Sequence, residues 1–372
     1  MEQPGHQPAR IERALVDFDV LAGWMAEHGL PEGPFEDVEV LGGGTQNVLV
    51  RFGRGGRRYV LRRGPRHLRA RTNDVLRREA RVLSALEGTG VPAPRLIAAC
   101  PDENVMHGAV FYLMAPVEGF NASVTLPEPH ASDAAMRHAM GLNAARSLAA
   151  LGAVDHRAVG LDGFGKPEGF LERQVGRWLS ELDGYSAMPG YEGHEIPGVD
   201  KVARWLEANR PTTWRPGIMH GDYHLANLMY AVDGPGIAAI VDWEMCTIGD
   251  PLVDLGWLLA TWPGHGGAST SPATSSATAL AGPLAGPLGE AGGLPGPDEL
   301  VTAYAELEEA TAGRDLDSIT WYAVLACFKL GIVLEGTNAR AHAGKAPKET
   351  GDLLHSITLG LFRRAEAFIA AG

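Results

Sequence analysis

The sequence predicts an α+β fold, a small antiparallel sheet lobe followed by a larger helical lobe. Three observations carry this. Short strand-like stretches separated by glycine runs fill the region before about residue 65. Apolar residues at helical spacing dominate the chain beyond a linker near 115 to 120. The third is the glycine-turned meander at the start of the chain, and the division falls as 1–115 against 116–372.

The elements follow in order. Residues 17 to 29 carry Val20, Leu21, Trp24 and Met25 at helical spacing and stop at Gly29 and Pro31. Strands are predicted at Val38 to Leu41, Asn47 to Phe52 and Arg58 to Arg63, turned by Gly42-Gly43-Gly44 and by Gly53 to Gly56. A helix from about Asp74 to Glu87 carries Val75, Leu76, Val82, Leu83 and Leu86, and Val91-Pro92-Ala93-Pro94 breaks it off. Strands at Arg95 to Ala99 and Ala109 to Met114 complete a five-stranded sheet. Helices are then expected at about 131 to 151, 169 to 182 and 198 to 209. A strand-rich interlude at 217 to 242 precedes helices near 252 to 261, 298 to 311, 318 to 341 and 350 to 370. Residues 264–297 are mostly Gly, Pro, Ala, Ser and Thr, with Glu290 their one carboxylate. This composition reads as a flexible surface insertion, ending where Asp298 caps the next helix.

Composition narrows the function. With 372 residues, 45% hydrophobic and 21% charged, the chain has enough apolar surface to fold. A net charge of -13 argues against a general nucleic-acid binder. Cys100, Cys246 and Cys327 form no CxxC pair, which suggests a reduced, cytoplasmic protein. No run approaches 18 apolar residues, and Lys329 interrupts the most apolar stretch, Ala323 to Leu334, so no membrane partner is expected. The oligomeric state is not legible. There are five lysines against 27 arginines, and the first lysine is Lys166. Any chemistry needing a cation earlier in the chain must therefore use arginine, histidine or the N-terminus. Residues 51 to 81 alone hold 12 arginines against Asp74 and Glu79. That window reads as a solvated basic face or as a second polyanion site at Arg66, Arg69 and Arg71.

The strongest signal is His220-Gly221-Asp222-Tyr223-His224-Leu225-Ala226-Asn227, followed by Ile240-Val241-Asp242-Trp243-Glu244. An Asp, an Asn five residues on, and a later Asp ending an apolar strand form a constellation suited to phosphoryl transfer. That reaction has a highly charged transition state, so residues mainly position groups and supply counter-charge. Asp222 is the candidate catalytic base for the attacking hydroxyl. Asn227 and Asp242 are candidate Mg2+ ligands, because that hard cation takes oxygen donors. His220 and His224, four apart, form no convincing metal pair and are read as hydrogen-bonding groups.

These motifs, with Gly249-Asp250-Pro251 and Asp254, resemble the aminoglycoside phosphotransferase-like family of small-molecule kinases over about residues 17 to 370. The resemblance implies a bilobal protein-kinase-like fold, with ATP and Mg2+ as cofactors and a small-molecule hydroxyl as acceptor. Protein kinases carry an Arg where Gly221 stands and Phe-Gly after the metal Asp, which this chain lacks. Gly42, Gly43, Gly44 and Thr45 would cover the phosphates. The third strand should present a cation, usually lysine, to the nucleotide; here the stretch is Tyr59-Val60-Leu61-Arg62-Arg63. Alternation puts Val60 and Arg62 on one face, and the nucleotide face takes the small apolar residue with the cation, which selects Arg62 over Arg63. Glu79 is the expected carboxylate partner of Arg62. Phe111 to Gly119 resembles the interlobe linker, with Met114 beside adenine and backbone groups near Ala115 and Val117 meeting it. Asp250 and Asp254 are read as supports of the catalytic loop. Arg173, Trp178 and Arg340 are read as facing the substrate lobe or as core and surface residues.

Arg62 and Asp242-Trp243-Glu244 bring the chain near the branch linked to acyl-CoA dehydrogenases, which implies a hydroxyacyl-CoA or hydroxy-acid substrate. An aminoglycoside or amino-alcohol kinase, a nucleotide-binding pseudokinase and a Rossmann-type oxidoreductase remain alternatives.

Overall fold

A computed structural model describes residues 16–41, 47–65, 68–191, 193, 196–263 and 286–371. The chain separates into two compact units, residues 1–118 with 241–244, and residues 119–240 with 245–372.

In the first unit, helix α1 (Phe18–Glu27) starts at Asp17, whose carboxylate accepts the amides of Asp19 and Val20. Five strands follow: β1 (Glu36–Leu41), β2 (Val48–Arg54), β3 (Arg57–Arg63), β4 (Leu96–Cys100) and β5 (Phe111–Met114), with α2 (Thr72–Leu86) between β3 and β4. They form one antiparallel sheet in the order β1-β2-β3-β5-β4. One side of it is apolar: Phe52, Tyr59, Leu61 and Phe111 join Leu21 and Trp24 of α1 in a buried cluster. Tyr59 and Leu61 are two apart on β3, so Val60 and Arg62 belong to the other face. The helix α2 packs against β4 and β5 and buries Leu76, Glu79 and Leu83.

The second unit opens with β6 (Phe120–Asn121) and continues through α3 (Ala134–Ala153), α4 (Gln174–Tyr185) and α5 (Val199–Ala208). The strands β7 (Gly217–Met219), β8 (Leu228–Tyr230), β9 (Ile237–Ile240) and β10 (Thr247–Gly249) come next. They pair as β10-β7 and β6-β8-β9. The helices α6 (Leu252–Thr261), α7 (Pro297–Ala305), α8 (Glu308–Thr311), α9 (Ile319–His342) and α10 (Lys348–Ala371) complete it. The long α9 is apolar enough in length and composition to cross a membrane, yet 72% of its most apolar window is buried inside the protein. It packs against α10 and α6. The three cysteines are buried thiols.

Three sequence readings need correction. The 298 to 311 helix is two helices, interrupted between Ala305 and Glu308. Asp298 does not cap it; the Glu299 carboxylate accepts the Gly296 amide at 2.8 Å instead. The insertion read as 264–297 is not a loose loop throughout. Residues 264–285 lie outside the described residues, but 286–297 is built into the second unit. There Leu288 is fully buried, Arg137 donates to the Gly292 carbonyl at 2.7 Å, and the Trp262 indole donates to the Pro295 carbonyl at 2.9 Å. A buried arginine and a buried tryptophan from elsewhere in the chain supply the order that the local composition lacks.

Candidate active site

Each unit holds one cluster of the residues that the sequence singles out. In the first, Arg62 Nη2 donates to Glu79 Oε1 at 2.7 Å and to Asp242 Oδ1 at 2.8 Å. Tyr112, opposite Arg62 in the β3–β5 register, donates its hydroxyl to Glu79 Oε2 at 3.0 Å. Glu79 is 1% exposed and the Arg62 side chain 10%, so both charges are nearly dry and depend on each other. Burial works against the Arg62 charge, but the Glu79 carboxylate, Tyr112 and Asp242 outweigh it and hold the pKa above its ordinary value. Burial also pushes the Glu79 carboxyl upward, against the pull of Arg62 and of the Tyr112 hydroxyl. The arginine that meets Glu79 is Arg62. Arg63 is also buried, and that burial lowers its pKa.

Asp242 sits at φ 66, a left-handed conformation that Asp tolerates better than most residues and that often marks functional positions. Glu79, Asp242 and Glu244 each bring a carboxylate oxygen within 4.8 Å of the others. Such hard oxygen donors suit a cation like Mg2+ better than a soft metal. Val60 is buried on the Arg62 face of β3 and pairs in register with Met114, which is half-buried. Val117 is half-buried outside any strand. The Ala115 amide bonds the Arg95 carbonyl at 2.9 Å, because the β4–β5 pairing continues one step past the strands. Gly42, Gly43, Gly44, Thr45 and Arg66 lie outside the described residues. Arg69 and Arg71 are exposed beside the start of α2.

In the second unit, the loop 220–227 joins β7 to β8. Asp254, in the first turn of α6, accepts the His220 amide at 2.5 Å and the Gly221 amide at 2.9 Å. It is 1% exposed, and burial pushes its pKa to about 7 against those two bonds. Asp250 is buried as well, accepts from Tyr322 at 2.6 Å and from the Leu252 amide at 3.1 Å, and is pushed to about 6 by burial. On the far side of the loop, Asn121 of β6 donates to the Ala226 carbonyl at 2.7 Å. The loop that carries Asp222 is thus held by Asp254 at its start and by Asn121 near its end.

The Asp222 carboxylate meets His224 Nε2 at 3.3 Å and receives the Asn227 amide at 3.1 Å, and Asn227 also donates to the Asp222 carbonyl at 2.9 Å. With its amide protons turned to Asp222, Asn227 keeps its oxygen as the acceptor for a cation. Burial alone would raise the Asp222 pKa, but His224, His220 and Lys329 bring it down to about 2. The group is therefore ionised at neutral pH, as a proton acceptor must be. His220 and His224 both act as hydrogen-bonding partners of the Asp222 residue, through its amide and its carboxylate respectively. Arg173 donates to the carbonyls of Lys166 and Glu168, and Arg340 to Thr337, so both are engaged close to their own helices.

Gly221 has φ 88, and a Cβ there would lie 2.5 Å from the Met245 carbonyl oxygen. Gly221→Ala is expected to destabilise the second unit by roughly 2–4 kcal/mol, from left-handed strain plus the clash. Urea denaturation checks this, and a shift below about 0.5 kcal/mol would refute it.

Sequence reasoning missed Tyr112, Glu244 and Lys329. The first was within reach by alternation, since it lies directly opposite Arg62. A charged residue in the middle of an apolar helix was the signal for Lys329.

A family model for the phosphotransferase enzyme family matches residues 37–287. Among curated relatives, the Gallus gallus acyl-CoA dehydrogenase family member 11 is 28% identical over 334 residues, 87% of this chain and 39% of the relative. The Mus musculus acyl-CoA dehydrogenase family member 10 is 29% identical over 260 residues, 68% of this chain and 23% of the relative. The chain thus spans less than half the length of these relatives. Among solved structures, a Ralstonia eutropha chain provisionally named an aminoglycoside phosphotransferase superposes with a TM-score of 0.71 at 28% identity, covering 95% of this chain and 99% of that one. A macrolide 2'-phosphotransferase from Brachybacterium faecium shares the fold, with a TM-score of 0.53 at 20% identity, covering 91% of this chain and 97% of that one.

Proposed function

The chain belongs to the phosphotransferase enzyme family, and from that premise we propose that it transfers the γ-phosphoryl group of ATP, with Mg2+, to a hydroxyl of a small molecule. The observation that carries the reading is Asp222, ionised and held by Asn227 and His224 on a loop whose amides are gripped by Asp254.

In this reading the Asp222 carboxylate orients the attacking hydroxyl and takes its proton as the new P–O bond forms and the bond to ADP breaks. Arg62 offers forked donors to the nucleotide phosphates and stays charged through its contacts with Glu79 and Asp242. Glu79 and Tyr112 fix the angle of the guanidinium. Bound Mg2+ would neutralise charge on the phosphate oxygens, and Asn227 and Asp242, both oxygen donors, are the residues proposed to hold it.

For the acceptor we favour a hydroxyacyl-CoA or hydroxy acid. Its support is that the curated relatives are acyl-CoA dehydrogenase family members whose length this chain only partly covers. The name of the Ralstonia eutropha chain supports an aminoglycoside as the second reading. The test is incubation of the protein and Mg-ATP with 3-hydroxybutyryl-CoA, free 3-hydroxybutyrate, kanamycin and ethanolamine, and phosphorylated products read by mass spectrometry. Phosphorylated thioester or hydroxy acid is the expected result. Product from kanamycin alone would overturn the acceptor. No product from these or from a metabolite extract, with no ADP release, would overturn the function.

A further inference from the structure

Lys329 lies within α9, and its ammonium donates to the Gly221 carbonyl at 3.3 Å. The Trp257 ring of α6 lies 4.3 Å from Nζ, and the Trp178 ring of α4 lies 5.7 Å away. Both tryptophans are buried, at 5% and 7% exposure. Arg177 covers the Trp178 ring at 4.9 Å. Three helices thus meet around one ammonium, with no carboxylate in ion-pair range of it among the described residues. Burial, joined by Arg177, lowers the Lys329 pKa, and Asp254 and Asp222 pull it back up.

A desolvated ammonium is costly, and packing alone would be served better by Met or Leu. Its one hydrogen bond among the described residues gives the reason for a cation. The Gly221 carbonyl belongs to the same peptide unit as the Asp222 amide, and that amide bonds His220 Nδ1 at 3.3 Å. One peptide plane is therefore held at its oxygen by Lys329 and at its nitrogen by His220. That plane sets the direction in which the Asp222 side chain leaves the backbone. The tryptophan faces hold the ammonium by cation–π attraction without offering a carboxylate that would draw it off the carbonyl.

We propose that Lys329 is a positioning residue for phosphoryl transfer, clamping the Gly221–Asp222 peptide from α9 so that the Asp222 carboxylate faces the acceptor hydroxyl; this rests on the function proposed above. Lys329 does not touch the reacting atoms in this role. Its loss should act on kcat and not on nucleotide binding, because a base displaced by about 1 Å costs on the order of 100-fold in rate.

The experiment compares wild type, Lys329→Met and Lys329→Ala with Mg-ATP, on whichever acceptor above the wild type turns over fastest and with water as acceptor. Lys329→Met keeps the stem between the tryptophans and removes the charge. The expected result is a kcat about 100-fold lower, with the KM for ATP and the thermal midpoint close to wild type. Propylammonium should restore turnover to Lys329→Ala, and 1-propanol should not. A Met variant with wild-type kcat, equal rescue by the alcohol, or a kcat loss that tracks a collapse of the thermal midpoint in both variants would each overturn the proposal. An active wild type with an equally active Met variant removes only this inference. A wild type inactive on every acceptor and on water removes the proposed function and this inference with it.

Discussion

Asp222→Ala is expected to lower turnover by roughly a hundred- to ten-thousand-fold while leaving ATP affinity nearly unchanged. The carboxylate is ionised at neutral pH, because His224, His220 and Lys329 outweigh its burial and hold its pKa near 2. Removing it deletes the proton acceptor but none of the Arg62 contacts proposed to meet phosphate. The measurement is a steady-state rate together with a nucleotide titration by calorimetry. Full activity in the variant would show that the base has been misassigned. Equal loss of rate and affinity would show that Asp222 binds the nucleotide complex instead. Asp222→Asn separates charge from shape: the amide can still hydrogen-bond, so a rate as low as that of the Ala variant isolates the loss of the base.

The second large effect is expected at Arg62. Arg62→Ala should abolish measurable ATP binding and also destabilise the first unit by about 3–5 kcal/mol, because Glu79 would remain buried without its cation. Glu79 is 1% exposed, so water cannot replace the guanidinium. The double variant Arg62→Ala/Glu79→Gln should recover much of the stability, measured by urea denaturation, but none of the ATP affinity. Arg62→Lys should keep partial affinity, since an ammonium retains the charge but loses the guanidinium's forked donors to phosphate. Arg63→Ala should leave ATP binding near the wild-type level. If Arg63→Ala instead removes binding while Arg62→Ala spares it, the face of β3 that meets nucleotide has been chosen wrongly.

Much of the fold was legible because its elements obey local periods. The alternation along Tyr59 to Arg63 is visible in five letters, and in the folded chain Tyr59 and Leu61 enter the apolar cluster while Arg62 meets Glu79. The helix carrying Glu79 announces itself by Leu76, Val82, Leu83 and Leu86 on one side. Asp222 and Asn227 are five residues apart in one loop, so their contact follows from short-range geometry. The errors arose where order comes from afar. The segment 286–297 looks unstructured by composition, yet Arg137, some 155 residues away, holds it by the Gly292 carbonyl.

The sequence alone narrowed which chemistry is on hand: an Asp–Asn–Asp set, a first lobe without lysine and, by strand alternation taken with the kinase resemblance, Arg62 as the arginine expected in its place. Beyond the expected Arg62–Glu79 pair, only the tertiary structure decided which distant groups meet. Arg62 and Asp242 are 180 positions apart, and Lys329 and Gly221 are 108 apart. No periodic pattern links such distances. The partner of a buried charge is fixed by packing of whole elements and by the cost of leaving that charge unpaired. For that reason Lys329 was only an interruption in an apolar helix when read in sequence, and is a clamp on the Asp222 peptide when read in the folded chain.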